Sequence, residues 1–159
     1  MADLWRLDAT AQADAIRRGD TTPSALLDMA LERVARLNPQ VNAVIDTFED
    51  RAREQIADLD AAAPFAGVPL LLKDAGQELE GTRYALGTPL LKEIGYVSTE
   101  TTEVTHRLMR AGFVVFGKTN VSELSSGFTV EPEAFGPTRN PWDLGRTVGG
   151  SSGGAAAAV

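Results

Sequence analysis

The spacing of apolar positions switches repeatedly between helical and strand periods along the chain. Residues 9–18 predict a short helix, with Asp8 as its cap and Gly19 after it. Thr22-Pro23 opens a stronger helix that runs to about Leu37. Its proline stands at the first helical position, where a missing N–H costs nothing. Leu26, Leu27, Ala30, Leu31, Val34 and Leu37 recur there as one apolar stripe, and Asn38-Pro39 predicts its end. A short strand is expected over Val41–Asp46. A further helix is expected over Phe48–Ala62, with Ile56 and Leu59 facing inward, before a link at Ala61–Pro64. After Gly67-Val68-Pro69, the unbroken run Leu70-Leu71-Leu72 predicts a buried strand that ends at Lys73-Asp74. Thr99–Ala111 is amphipathic, carrying Val104, Leu108 and Met109, and Gly112 closes it. Phe113–Phe116 predicts a second buried strand. From Gly136 to Gly154 the texture is that of a loop, and Ala155–Val159 begins another helix. Alternating helices and short apolar strands predict an α/β fold, a sheet covered by helices on its faces.

Composition narrows the function classes. The 159 residues suffice for one domain with its own core. The net charge of -7 argues against a nucleic acid partner, because an acidic chain is repelled by phosphates. Cysteine is absent, which removes disulfides, thiol catalysis and thiolate metal sites and suits a reducing compartment. The start MADLWRLDAT has no apolar signal region, and no run of about 18 apolar residues spans a membrane. The expectation is a cytoplasmic protein with no membrane partner.

Two glycine-rich stretches carry candidate chemistry. Gly112–Thr119 matches the phosphate-loop pattern G-x-x-x-x-G-K-[ST] and suggests a nucleotide-binding module. Its four middle residues are Phe, Val, Val and Phe, all strand formers, and a helix precedes the first glycine. Neither feature suits a backbone that wraps phosphates. The second stretch, Val148–Ala155, sets Ser151 and Ser152 among four glycines. Composition leaves an anion-binding nest and a catalytic serine loop level. A hydrolytic serine needs a base. The single histidine, His106, lies on the face of a predicted helix, with no ligand cluster around it for a metal. A desolvated lysine can serve instead. Lys73 stands at the end of a predicted buried strand, and the residues alone leave open whether it is that base or the first solvated residue past the strand.

Four motifs in order change the picture: Gly67-Val68-Pro69 through Lys73-Asp74, Gly117–Asn120, Gly136–Trp142 and Gly149–Gly154. Together they resemble the amidase-signature hydrolases over roughly residues 5–159. The run Glu131–Gly136 most resembles the branch of that family acting on a cyclic amide dimer. The resemblance implies the first part of a mixed sheet flanked by helices, an α/β/α fold cut short. It implies a single incomplete domain over 1–159, with a helical region at 1–64 and the start of the catalytic core at 65–159. It implies hydrolysis of a linear or cyclic amide by a Ser–cis-Ser–Lys triad, needing no metal or cofactor. Lys73 falls on the family lysine and Ser151 on the cis-serine, so a cis Gly150–Ser151 peptide is expected. The attacking serine belongs to a second Gly-Gly-Ser motif that these residues do not contain, so the 159 residues alone are expected to be inactive on amides. Ser125 matches a substrate-lining position. Ser152 is expected beside Ser125 among the substrate-binding residues, and to fix the loop or Ser151 by hydrogen bonding. Asp74 is expected to be structural, since a carboxylate close to Lys73 would favour its charged form. The implied partners are a small amide substrate, the remaining part of the enzyme and, in a homo-oligomer, a second copy. An amidotransferase A-type subunit, working on charged transfer RNA with partner subunits, is the other reading within the family.

Overall fold

A computed structural model describes residues 4–159; residues 1–3, at the start of the predicted 1–64 region, lie outside it. After a single 3-10 turn at Leu4–Arg6, α1 spans Ala9–Arg18. The Asp8 side chain accepts from the Ala11 N–H, and Gly19 closes the helix with a left-handed φ of 76°. Helix α2 spans Pro23–Val41, two residues beyond the proline expected to stop it. Pro39 falls in the last turn and, lacking an N–H, forfeits one helical bond there. Asn42 supplies the left-handed cap, and the Asn38 side chain accepts from the Ala43 and Val44 amides and donates to the Val44 carbonyl. The chain therefore enters β1, Val44–Thr47, later than the apolar pattern suggested.

Helix α3 is Glu49–Ala57, shorter than expected because the Asp60 carboxylate accepts from the Ala62 amide and starts a turn. Strand β2 is Pro69–Lys73. Helix α4, Pro89–Glu93, was not expected from the apolar pattern; it is one turn long, opened by Thr88 and Pro89. Helix α5 is Glu103–Arg110. Residues 99–102 stay outside it: 99 and 100 form a bend, Thr102 is extended, the Glu80 amide donates to Thr101 Oγ1 and the Thr102 amide to the Glu78 carbonyl.

Strand β3 runs Val114–Thr119, three residues past the expected end, and every residue in it is buried. The Gly117-Lys118-Thr119 part of the phosphate-loop pattern is thus an interior strand whose amides serve the sheet. That corrects the nucleotide-binding alternative. The loop expected from Gly136 contains a hairpin, β4 at Arg139–Asn140 and β5 at Asp143–Thr147, with α6 at Gly153–Ala158 behind it.

The sheet order is β1-β3-β2, with β1 antiparallel and β2 parallel to the central β3. The N-terminal helical region therefore also supplies a strand. Alternation along the strands sends Val114, Phe116 and Leu71 to one face, against Leu27 and Leu31 of α2 and Ala52 and Ile56 of α3. Val115, Leu70 and Leu72 face the other way, against Leu79 and against Leu108 and Met109 of α5. The layers are helix, mixed sheet, helix. Helix α6 sits over the carboxyl ends of β2 and β3, the usual place for a site in a parallel sheet.

Candidate active site

Strand β2 delivers Lys73 to its carboxyl end, and the Lys73 amide is fixed by the Gln77 side chain at 2.5 Å. The Gly-Ser loop arrives from the hairpin. Its glycines are needed for close approach: a Cβ on Gly150 would meet the Gly127 carbonyl oxygen at 2.7 Å, and one on Gly154 would run into the Asn120 backbone. The Gly150–Ser151 peptide is cis. The Ser151 carbonyl accepts from the Ser122 amide at 3.3 Å, which ties the loop to the segment after β3.

These constraints bring three side chains together. Lys73 Nζ donates to Ser151 Oγ at 2.9 Å, and Ser125 Oγ donates to the same oxygen at 3.1 Å. Ser125 is half-buried and follows Leu124; both have left-handed φ values, 58° and 51°. Ser152 is not part of this group. It is the exposed residue before α6, and its hydroxyl makes no hydrogen bond among the described residues, so the expected link to Ser151 is not made. His106 lies on α5. Among the described residues no three His, Cys, Asp or Glu side chains are grouped to hold a metal ion.

Beside Lys73 the chain places a buried charge pair. Asp74 and Lys118 each have side chains 1% exposed, with Lys118 Nζ 3.6 Å from Asp74 Oδ1. Lys118 also donates to the Arg83 carbonyl at 2.6 Å and lies over the Tyr84 ring. The Asp74 carboxylate accepts from the Ala85 amide. Burial pushes the Asp74 carboxyl above the usual range, against the opposing pull of Lys118 and the Ala85, Gly87 and Leu86 amides. Burial likewise pushes Lys118 below the usual ammonium range, with Asp74 opposing.

Asn120 is the other residue whose part the sequence did not show. Its amide donates to Ala43 and its carbonyl accepts from Gly154. Its side chain donates to the Gly136 carbonyl and to Thr138 Oγ1. One fully buried residue thus ties β1, β3, α6 and the Gly136–Trp142 motif together. The Gly117–Asn120 motif marked the position, but nothing in its spacing showed which groups the side chain would join.

A family model for Amidase matches residues 25–159. The chain belongs to the amidase family. It is 46% identical over 157 residues to the 6-aminohexanoate-cyclic-dimer hydrolase of Paenarthrobacter ureafaciens, covering 99% of this chain and 31% of that protein. To the A-type subunit of the glutamyl-tRNA(Gln) amidotransferase of Deinococcus deserti it is 43% identical, covering 95% of this chain and 31% of that one. A solved structure of 6-aminohexanoate cyclic dimer hydrolase superposes with a TM-score of 0.94 at 45% identity, covering 100% of this chain and 32% of the other. These similarities agree with the motif resemblance at both the family and the branch level. The chain spans about a third of the length of the relatives it matches.

Proposed function

We propose that this chain supplies the proton-relay half of an amide hydrolase, with Lys73 as the base and Ser151 as the relay. The observation that carries the reading is the 2.9 Å contact from Lys73 Nζ to Ser151 Oγ. It joins a strand-end lysine to a serine in a tight glycine loop, with no histidine among the partners. In its neutral form Lys73 takes the Ser151 proton, and Ser151 takes one from an attacking serine that lies outside these 159 residues. That serine forms an acyl-enzyme, which water then hydrolyses. Ser125, beside Ser151, lines the substrate side, and Ser152 lies at the exposed rim. The substrate class is a linear or cyclic amide, in keeping with the 46% identity to a cyclic-dimer hydrolase. In this reading residues 1–159 form one incomplete domain in a cytoplasmic enzyme, completed by the remaining part of the fold.

The similarity to A-type amidotransferase subunits keeps such a subunit as the second reading. The net charge of -7 leaves any RNA contact to partner subunits. A fusion tests the first. The chain is joined to the part of the Paenarthrobacter ureafaciens hydrolase that it does not cover, and turnover of a cyclic amide dimer is measured. Activity that Lys73→Ala and Ser151→Ala each lower by about 10²-fold or more supports the relay. Activity indifferent to Lys73 overturns it. Residues 1–159 alone are expected to leave the amide intact.

A further inference from the structure

Within the described residues Ser151 Oγ has two hydroxyl or amine partners, Lys73 Nζ at 2.9 Å and Ser125 Oγ at 3.1 Å. The three form an unbroken chain of a hydroxyl, a second hydroxyl and an amine. Ser125 is the donor in its contact with Ser151, the direction in which a proton leaves an attacking oxygen. The surroundings are open: Leu124 is 60% exposed, Phe128 is 92% exposed, and Ser126 is exposed between them. The turn that carries Ser125 is held in place. The Leu124 amide donates to the Leu86 carbonyl, the Ser125 amide to the Ser122 carbonyl, and the Gly127 amide to Ser122 Oγ. Two successive non-glycine residues with left-handed φ present this side chain, and such strain persists only where surrounding contacts enforce it.

We infer that Ser125 is itself a nucleophile in this chain, able to accept an activated phosphonyl or acyl group through the Ser151–Lys73 relay. The inference rests on the relay of the proposed function and adds to it an acceptor contained in these 159 residues. With a fluorophosphonate, Ser125 Oγ forms the new O–P bond as the P–F bond breaks and fluoride leaves. The Ser125 proton passes to Ser151 Oγ as the Ser151 proton passes to neutral Lys73 Nζ, so Lys73 ends as an ammonium. An activated ester reacts in the same way, with its phenolate as the leaving group. Unactivated amides stay intact, because an amine leaving group needs a proton and a fixed oxyanion site that these contacts do not provide.

The test treats purified 1–159 with an alkyl fluorophosphonate and reads intact mass and peptide maps. The expected result is one adduct, on Ser125. Ser125→Gly, a change the left-handed backbone accepts, abolishes it while circular dichroism stays unchanged. Ser126→Ala labels at the original rate. Lys73→Met slows labelling at least tenfold, since a positioned base contributes about 10²–10⁴-fold. No adduct on protein with intact helical dichroism, or an adduct on Ser151 or another residue, overturns the inference. If the fused enzyme still depends on Lys73 and Ser151, the inference falls alone. Labelling of Ser125 that ignores Lys73→Met, together with a fused enzyme that ignores Lys73→Ala, removes the relay as well.

Discussion

Lys118 and Asp74 face each other at 3.6 Å with almost no solvent on either side chain. Removing one partner leaves the other charge buried alone. Lys118→Met or Asp74→Asn is therefore expected to cost about 3–5 kcal/mol in urea unfolding, while the double variant recovers most of that loss. The same pair sets a pH dependence. The folded pKa of Asp74 is raised, so between the ordinary carboxylate value and the raised one the folded protein keeps a proton the unfolded chain has lost. Stability falls as pH rises through that window. The folded pKa of Lys118 is lowered, so between that value and the ordinary ammonium one the unfolded chain binds more protons, and stability rises with pH. Urea melts across the acidic range are expected to show the first slope in the wild type and not in Asp74→Asn. The pairing of Lys73 with Ser151 was legible only through the family resemblance, since the residues and their spacing left the part of each open. The burial of Lys118 was not legible: the sequence shows it only within the phosphate-loop pattern and the Gly117–Asn120 motif, and its pairing with Asp74 depends on β1 and β2 flanking β3.

Helix α6 depends on a contact that no apolar pattern reveals. Its second residue, Gly154, lies against the backbone of Asn120 and Ala43, so a Cβ there has nowhere to go. Gly154→Ala is expected to lower stability by about 1–3 kcal/mol or more. It should also break the 3.1 Å bond from the Gly154 amide to the Asn120 carbonyl, and faster hydrogen exchange at that amide checks this. Most helices were legible from periodicity and caps: Asp8 and Gly19 bound α1, and Thr22-Pro23 opens α2. The misses share a cause. Helix α2 passes Pro39 because Asn38 and Asn42 re-satisfy its end, and the β4–β5 hairpin forms in a segment too polar to announce strands. In both, side-chain hydrogen bonds or local pairing decide the outcome, and hydrophobic spacing does not report them.

The assembled chain leaves large apolar side chains uncovered. Trp142 is 96% exposed and Phe128 is 92% exposed, with Leu90 and Ile94 also in solvent. Uncovered apolar surface drives association. Residues 1–159 are expected to sediment with a mass that grows with concentration, and Trp142→Ser with Phe128→Ser to shift them toward monomer. No helix among the described residues is long and apolar enough to cross a membrane.

The order of the sheet has a consequence for how the chain is made. The central strand is the last of the three in sequence: Val44 pairs with Thr119 and Pro69 with Val114. Neither earlier strand has a partner on a ribosome until β3 has emerged. Until then the apolar faces of α2 and β2 wait unpaired, as non-local pairings do when loop closure must come first. A nascent chain arrested just before Val114 is expected to remain protease-sensitive throughout, and one arrested well after Thr119 to become resistant in a single step.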